Sequence, residues 1–312
     1  MEVPRLKKTK YSVQRGALPY LLVVPGVVLL CVLMFYPFLR NILYSFTNYK
    51  MSNPNYTYIG MGNYWEALTN QEFRNALINT LVWVVLNTVC MIFVGVLGAF
   101  VMNSRQIRCA VILEVVLLLP WVLPEAITGY TWKLLLSYQS GIYYKLLLAL
   151  HLIPGNYDLF AHGMTAMLAC VAANVWRSFP LISLMTLAKL RALPAERIEA
   201  AALDGANRLQ MFLYIELPFI RPAVLTVGVL CFIWTFNAYG IIGVMTNGGP
   251  AKATEVASVL MQKSAFQFYD YSMASAYAVL ILVILVAVVV GLKSLPKLLS
   301  RRDNKEEDID VL

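Results

Sequence analysis

The sequence predicts an all-α polytopic membrane protein with six transmembrane helices, and three observations carry that expectation. Apolar residues make up 60% of the 312 and charged residues only 13%, with mean hydropathy +0.67. A soluble domain holds about 45–50% apolar and roughly 25% charged residues, so this chain has too little polar surface to face water on all sides. Apolar stretches near the roughly 20 residues that a spanning helix needs recur six times, and the charges collect in the short segments between them.

In chain order the six stretches are 18–38, 77–102, 111–132, 164–187, 222–245 and 273–292. The first follows a basic leader with Arg5, Lys7, Lys8, Lys10 and Arg15. Its apolar run is too long for a cleaved signal and no A-x-A site follows, so a retained signal anchor is expected. The chain then divides into a basic N-terminus (1–17), a six-helix domain (18–292) with a polar connection at 188–221, and a charged tail (293–312). An even number of spans puts both termini on one side. Seventeen of the 25 Lys and Arg residues fall on the face that holds the termini and seven on the other, which places both termini in the cytoplasm. The outer connections 48–76 and 137–162 mix Tyr, Trp and turn residues and are read as ordered.

The net charge of +8 does not call for nucleic acid, because the basic residues follow the membrane pattern rather than forming one patch. None of the five cysteines forms a C-x-x-C pair, and they are read as small core hydrophobes. The two histidines, His151 and His162, share one polar loop, so no metal site is expected. No G-x-x-x-x-G-K-[ST] loop occurs, and the chain is expected to bind no nucleotide or other cofactor and to be no enzyme.

The segment between spans four and five reads as helix, break, helix. Pro194 suits a first helical turn and Glu196 favours the positive end of the helix dipole. Gly205 can adopt the left-handed conformation that ends a helix. Leu209, Phe212 and Leu213 then share a face, and Pro218 is expected to stop the second helix. From the residues alone, an amphipathic hairpin on the lipid surface fits as well as a docking element. A DNA-reading hairpin fits poorly, because both its ends are tied to membrane.

Glu199-Ala200-Ala201, three residues, Gly205, nine residues, Ile215, one residue and Leu217-Pro218 occupy every position of one known pattern. The segment resembles the EAA loop of binding-protein-dependent ABC importers, whose permease subunits use it as a coupling helix seated in a cytosolic ATPase. Other segments resemble the carbohydrate, maltose-type branch of that family. They are Tyr58-Ile59-Gly60-Met61-Gly62-Asn63-Tyr64, Leu118-Leu119-Pro120-Trp121 and Thr246-Asn247-Gly248-Gly249-Pro250, with Tyr58 standing where the family has phenylalanine.

The resemblance implies a permease for a sugar or oligosaccharide delivered by an extracellular or periplasmic binding protein. Its partners would be a paralogous second permease, two copies of an ABC ATPase that bind ATP and Mg, and membrane lipid. Coupling to the ATPase would fall to Glu199, Ala200, Ala201, Asp204, Gly205, Ile215, Leu217 and Pro218.

For the solute path, Arg177 is the salient residue, because an ionisable group inside a span is expensive unless it has a function. Phe179-Pro180 is expected to break the fourth span there. Asn174-Val175-Trp176-Arg177-Ser178-Phe179-Pro180 resembles a sugar-contacting stretch of the maltose-type branch, as does the run from Trp234 to Tyr239 in span five. The expected path residues are thus Asn174, Arg177, Ser178, Trp234, Phe236, Asn237 and Tyr239. Leu181 departs from the branch, which has a tyrosine there. Against these stand structural roles: Asn237 as an interhelical hydrogen bond, and Arg177 paired with Glu125. A cationic cavity around Arg177 would instead favour glycerol phosphate or an acidic sugar, and aromatic stacking a neutral glycan. A secondary transporter would need a relay of intramembrane carboxylates, and Glu125 alone is thin support for one.

Overall fold

The structure, a computed structural model, describes residues 18–104 and 110–307. The basic leader, Arg105, Arg108, Cys109 and the end of the tail lie outside the described residues. The described residues form helices joined by turns and loops, with two isolated bridges among them, Thr47 to Tyr58 and Lys50 to Asn53.

The first span comprises α1 (Leu18–Leu30), a π-helical turn (Cys31–Phe35) and α2 (Tyr36–Tyr44). After α3 (Gly62–Thr69) comes α4 (Gln71–Met102), started by the Asn70 side chain accepting from the Glu72 N–H at 2.7 Å. At 32 residues α4 is roughly 48 Å long, well beyond the roughly 30 Å of a bilayer core, so it stands proud of the membrane. Then follow α5 (Ala110–Val122), α6 (Glu125–Leu135), α7 (Ile142–Ala149) and α8 (Gly163–Arg191). The polar connection holds α9 (Ala195–Leu203), α10 (Arg208–Met211) and a second π turn (Phe212–Glu216), which runs directly into α11 (Leu217–Asn237). The chain closes with α12 (Gly240–Met245), α13 (Ala257–Phe266) and α14 (Tyr271–Glu307). Five helical runs are long and apolar enough to cross a membrane, and α5 with α6 makes a sixth span if the bent pair counts as one.

Four prolines shape these spans in three different ways. Pro37 and Pro218 each follow a π turn, in which the N–H of Tyr36 reaches Cys31 O and that of Leu217 reaches Phe212 O. The wider turn makes room for the proline ring and absorbs its missing donor. Pro218 therefore does not stop a helix, as its position implied; it opens α11. Pro124 does break its span, and α5 and α6 meet at 95°, so 111–132 is not one straight helix. Pro180, expected to break span four, lies buried within an uninterrupted α8. Here α4 holds the helix from one side: the Ser183 hydroxyl donates to Gly95 O at 2.8 Å. The fifth span also ends early, at Asn237 rather than 245, where Ala238 turns extended (ψ 128°) before α12.

The core is built on α4, α8 and α11. Gly95 and Gly98 let α4 and α8 touch: a Cβ on Gly95 would sit 2.7 Å from Ile182 Cβ, and one on Gly98 2.5 Å from Ser183 Oγ. This is how membrane helices gain packing when lipid is as apolar as their side chains. Polar ties add register. The Asn174 amide donates to Asn87 Oδ1 at 2.8 Å, and Trp83 Nε1 donates to Thr235 O at 3.0 Å. Such bonds contribute about 0.6 kcal/mol each, so packing dominates. The first span is the exception, with no residue of its apolar window buried. It meets the bundle at one end, where Ser275 Oγ donates to Asn41 Oδ1 at 2.8 Å. Of the described cysteines, Cys170 and Cys231 are core residues, whereas Cys31 on the first span is exposed.

At the end of the bundle that carries α7, the connections form an ordered cap containing α3, α7, α12 and α13. At the opposite end, α9 and α10 project.

Candidate solute path and coupling surface

The break at Pro124 creates the site. Proline disfavours a helical conformation for the residue before it, and once the helix ends the Leu123 carbonyl is left without a helical donor. Arg177, midway along α8 and roughly 20 Å from its first residue, fills that vacancy: its Nε donates to Leu123 O at 2.9 Å. Its Nη1 lies 3.8 Å from Glu125 Oε1, on the first turn of α6. Glu125 Oε2 accepts in turn from the Gly240 N–H at 3.1 Å, at the second break. One carboxylate and one guanidinium thus tie α8 to both helix breaks.

Beside them opens a cavity of about 250 Å³ lined by Met91, Trp121, Glu125, Asn174, Arg177, Ser178, Cys231, Trp234, Thr235 and Ala238. Trp121 and Trp234 are 37% and 53% exposed and offer flat apolar faces. Asn174, Ser178 and Thr235 offer amide and hydroxyl groups. Stacking faces beside hydrogen-bonding groups suit a polyhydroxylated ring, whose C–H faces are apolar and whose edges are polar.

Four of the seven expected path residues, Asn174, Arg177, Ser178 and Trp234, line this cavity. Phe236 does not: it is 2% exposed, with its ring 6.2 Å from that of Phe232 in the core. Asn237 is exposed and donates to Ile233 O of its own helix at 3.0 Å, so it makes no interhelical bond. Tyr239 packs over Gly243, where a Cβ would come within 2.6 Å of its ring. Trp121, on the Leu-Leu-Pro-Trp stretch, went unrecognised as a lining residue. Its signal in the sequence was Pro124 with a carboxylate directly after it, a break that brings polar groups into a span.

The second surface lies around α9. The helix starts after Pro194 and ends in a Schellman turn, with Gly205 N donating to Ala202 O at 3.2 Å and Ala206 N to Ala201 O at 3.0 Å. Gly205 takes φ +80°, the left-handed conformation its position implied. A capping box between Asn207 and Gln210 starts α10. Between α9 and the foot of α11 lies a groove of about 730 Å³ that includes Ala200, Ala201, Asp204, Ile215 and Pro218. Lys189 Nζ sits 4.4 Å from the centre of the Phe219 ring at its floor. Glu199, Gly205 and Leu217 lie outside the groove and are exposed, and Leu203 stands 89% exposed at the tip. Phe212 turns inward to meet Phe100 at 5.0 Å, whereas Leu209 and Leu213 stay exposed, so the three do not share one buried face.

Residues 91–303 match the family described as binding-protein-dependent transport system inner membrane component. The chain belongs to this family. It is a permease subunit of an ABC importer, with the architecture expected. The probable ABC transporter permease protein YurN of Bacillus subtilis is 29% identical over 276 residues, covering 88% of this chain and 94% of its own. The trehalose/maltose transport system permease protein MalF of Thermococcus litoralis is 29% identical over 275 residues, covering 87% and 91%. The diacetylchitobiose uptake system permease protein DasB of Streptomyces coelicolor is 28% identical over 289 residues, covering 90% and 87%. In fold, the permease is similar to a chain of a bacterial ABC transporter that imports the acidic polysaccharide alginate, with TM-score 0.78, 18% identity and 91% and 96% coverage.

Proposed function

We propose that this permease forms one side of the path by which an ATP-driven importer takes up a neutral sugar or short oligosaccharide. The observation that carries this is the mid-membrane cavity, which sets two tryptophan faces beside amide and hydroxyl groups at a helix break. The names of the relatives that move trehalose, maltose and diacetylchitobiose support the same solute class. In this proposal a binding protein delivers the sugar at the α7 end, a paralogous permease supplies the other wall, and two ATPase copies dock at the α9 end. Both termini then lie in the cytoplasm with α9, and this chain neither binds nucleotide nor catalyses a reaction. Coupling works because ATPase closure moves α9, and α9 continues through the short α10 and a π turn into α11, which carries Trp234 to the cavity.

An anionic solute is the second possibility that Arg177 raised. Its guanidinium is held by Glu125, and the aromatic lining favours the neutral class.

The test is reconstitution of the complete complex in proteoliposomes, with sugar uptake and sugar-stimulated ATP hydrolysis measured for wild type and Trp234→Ala. Loss of a stacking face should weaken both by about tenfold, roughly 1.4 kcal/mol. Unchanged transport with a stably assembled Trp234→Ala complex would remove the cavity from the path.

A further inference from the structure

Every charge that lines the cavity is accounted for by a single pair. Among the described residues, Arg177 and Glu125 are the only charged ones of the lining. Their side chains are 21% and 34% exposed, so the pair faces the open space and is not sealed in the bundle. Glu125 is also firmly seated. Its second oxygen accepts the Gly240 N–H at 3.1 Å, and a Cβ at position 240 would lie 2.6 Å from Glu125 Cβ and 2.7 Å from Oε2. Only glycine leaves room for the carboxylate in that place. Arg177 is fixed from the other side by the Leu123 carbonyl at 2.9 Å. The guanidinium thus meets the cavity already paired with an anion of the protein's own.

We infer that Glu125 is a specificity-determining residue of the path: by holding Arg177 it makes the cavity electrically neutral and keeps it for uncharged solutes. Without the carboxylate, Arg177 is a cation without its acidic partner facing the cavity, where a carboxylate or phosphate on a solute replaces Glu125. The inference rests on the proposed sugar path for the nature of the solute. The charge balance itself does not depend on it.

The test uses the purified complete complex in nanodiscs and tryptophan fluorescence, because Trp121 and Trp234 line the cavity. Probes are maltotriose, trigalacturonate of matched length, and the quenchers iodide and acrylamide. Glu125→Gln keeps an acceptor for Gly240 but removes the charge. It should shift the ratio of trigalacturonate to maltotriose affinity about tenfold towards the acid, equivalent to about 1.4 kcal/mol. Iodide quenching should rise while acrylamide quenching stays unchanged. The double variant Glu125→Gln/Arg177→Gln should return both to wild-type values.

A rise in both sugars together, or no change in iodide access, overturns the inference. If wild type ignores maltotriose, the sugar proposal fails, yet the iodide and acrylamide comparison still reads the charge balance. Should Glu125→Gln not assemble, Arg177→Gln alone decides: it should lower iodide access below wild type and raise caesium access, and the reverse result sinks the idea.

Discussion

At the α7 end of the bundle, loops and short helices are bound to one another by long-range polar contacts. The Asn63 amide donates to the carbonyls of Ser45 and Thr47 at 2.8 and 2.7 Å, and Lys50 meets Asp270 at 2.6 Å. Asn79 donates to Lys252 O and Glu255 O, Lys252 pairs with Glu72, and Lys263 pairs with a nearly buried Glu255 at 2.5 Å. At the α9 end one long-range pair, Arg191 with Glu114 at 2.6 Å, ties α8 to α5, and the hydrogen bonds of α9 and α10 themselves are local: a helix terminus, a capping box and the ladder into α11. Its apolar side chains, Leu203, Leu209 and Tyr214 among them, stand exposed above a groove. The α7 end is thus finished by polar contacts across the chain, whereas α9 and α10 hold only local hydrogen bonds, although both ends expose large apolar side chains, Trp65 at 73% and Phe266 at 66% among them at the α7 end. In the proposed coupling, an ATPase covers the exposed side chains of the α9 end.

Substitutions can break or sharpen that contrast. The largest expected effect is functional. Glu199→Lys and Gly205→Asp should abolish ATP-driven uptake and release the ATPase from the purified complex. For Glu199→Lys, an exposed position, the melting temperature should stay almost unchanged, within about 0.5 kcal/mol of stability. Gly205→Asp should add about 1 kcal/mol of strain, because only glycine takes φ +80° freely. An ATPase that stays bound to both variants would show that α9 is not where it docks.

Next in size is a change at the finished end. Lys263→Met leaves Glu255 buried without its cation, since their side chains are only 15% and 4% exposed. Such a loss costs about 3–5 kcal/mol, read as a large fall in melting temperature with ATPase binding retained. Gly95→Ala tests the helix contact between the two ends and should cost about 1–3 kcal/mol as Ile182 is pushed from its place.

The smallest effect is expected at Lys50, whose side chain is 53% exposed. The hydrogen bond to Asp270 raises its pKa above the ordinary 10.5. A raised lysine contributes its full stability below the unfolded value and loses it only as pH climbs through the folded one. Lys50→Met should therefore cost at most about 1 kcal/mol, constant from neutral pH to about pH 10 and fading only above that. A thermal-melt series across pH checks both the size and the sign.

Much of this was legible in the chain itself. The six spans, the helix that ends at Gly205 and the order of both outer connections followed from apolar run length, capping chemistry and turn residues, which act over a few positions. Arg177 could be picked out because an ionisable group within a span is costly, and Asn174, Ser178 and Trp234 because their stretches resemble sugar-contacting ones of the maltose-type branch. What the sequence could not rank was its prolines. Pro124 breaks its helix, Pro180 is carried through, and Pro37 and Pro218 are absorbed by π turns, although the ring and the missing donor are the same at all four.

At Pro124 the difference lies in a neighbour far along the chain, Arg177, which answers the carbonyl freed there. The same holds for Phe236, Asn237 and Tyr239, which the resemblance to the maltose-type branch put on the path and which the packing sets outside the cavity lining. Local sequence determined where apolar helices form and how they end. Tertiary packing alone decided which of them bend and which side chains meet, because a broken backbone persists only where another segment satisfies the groups it frees.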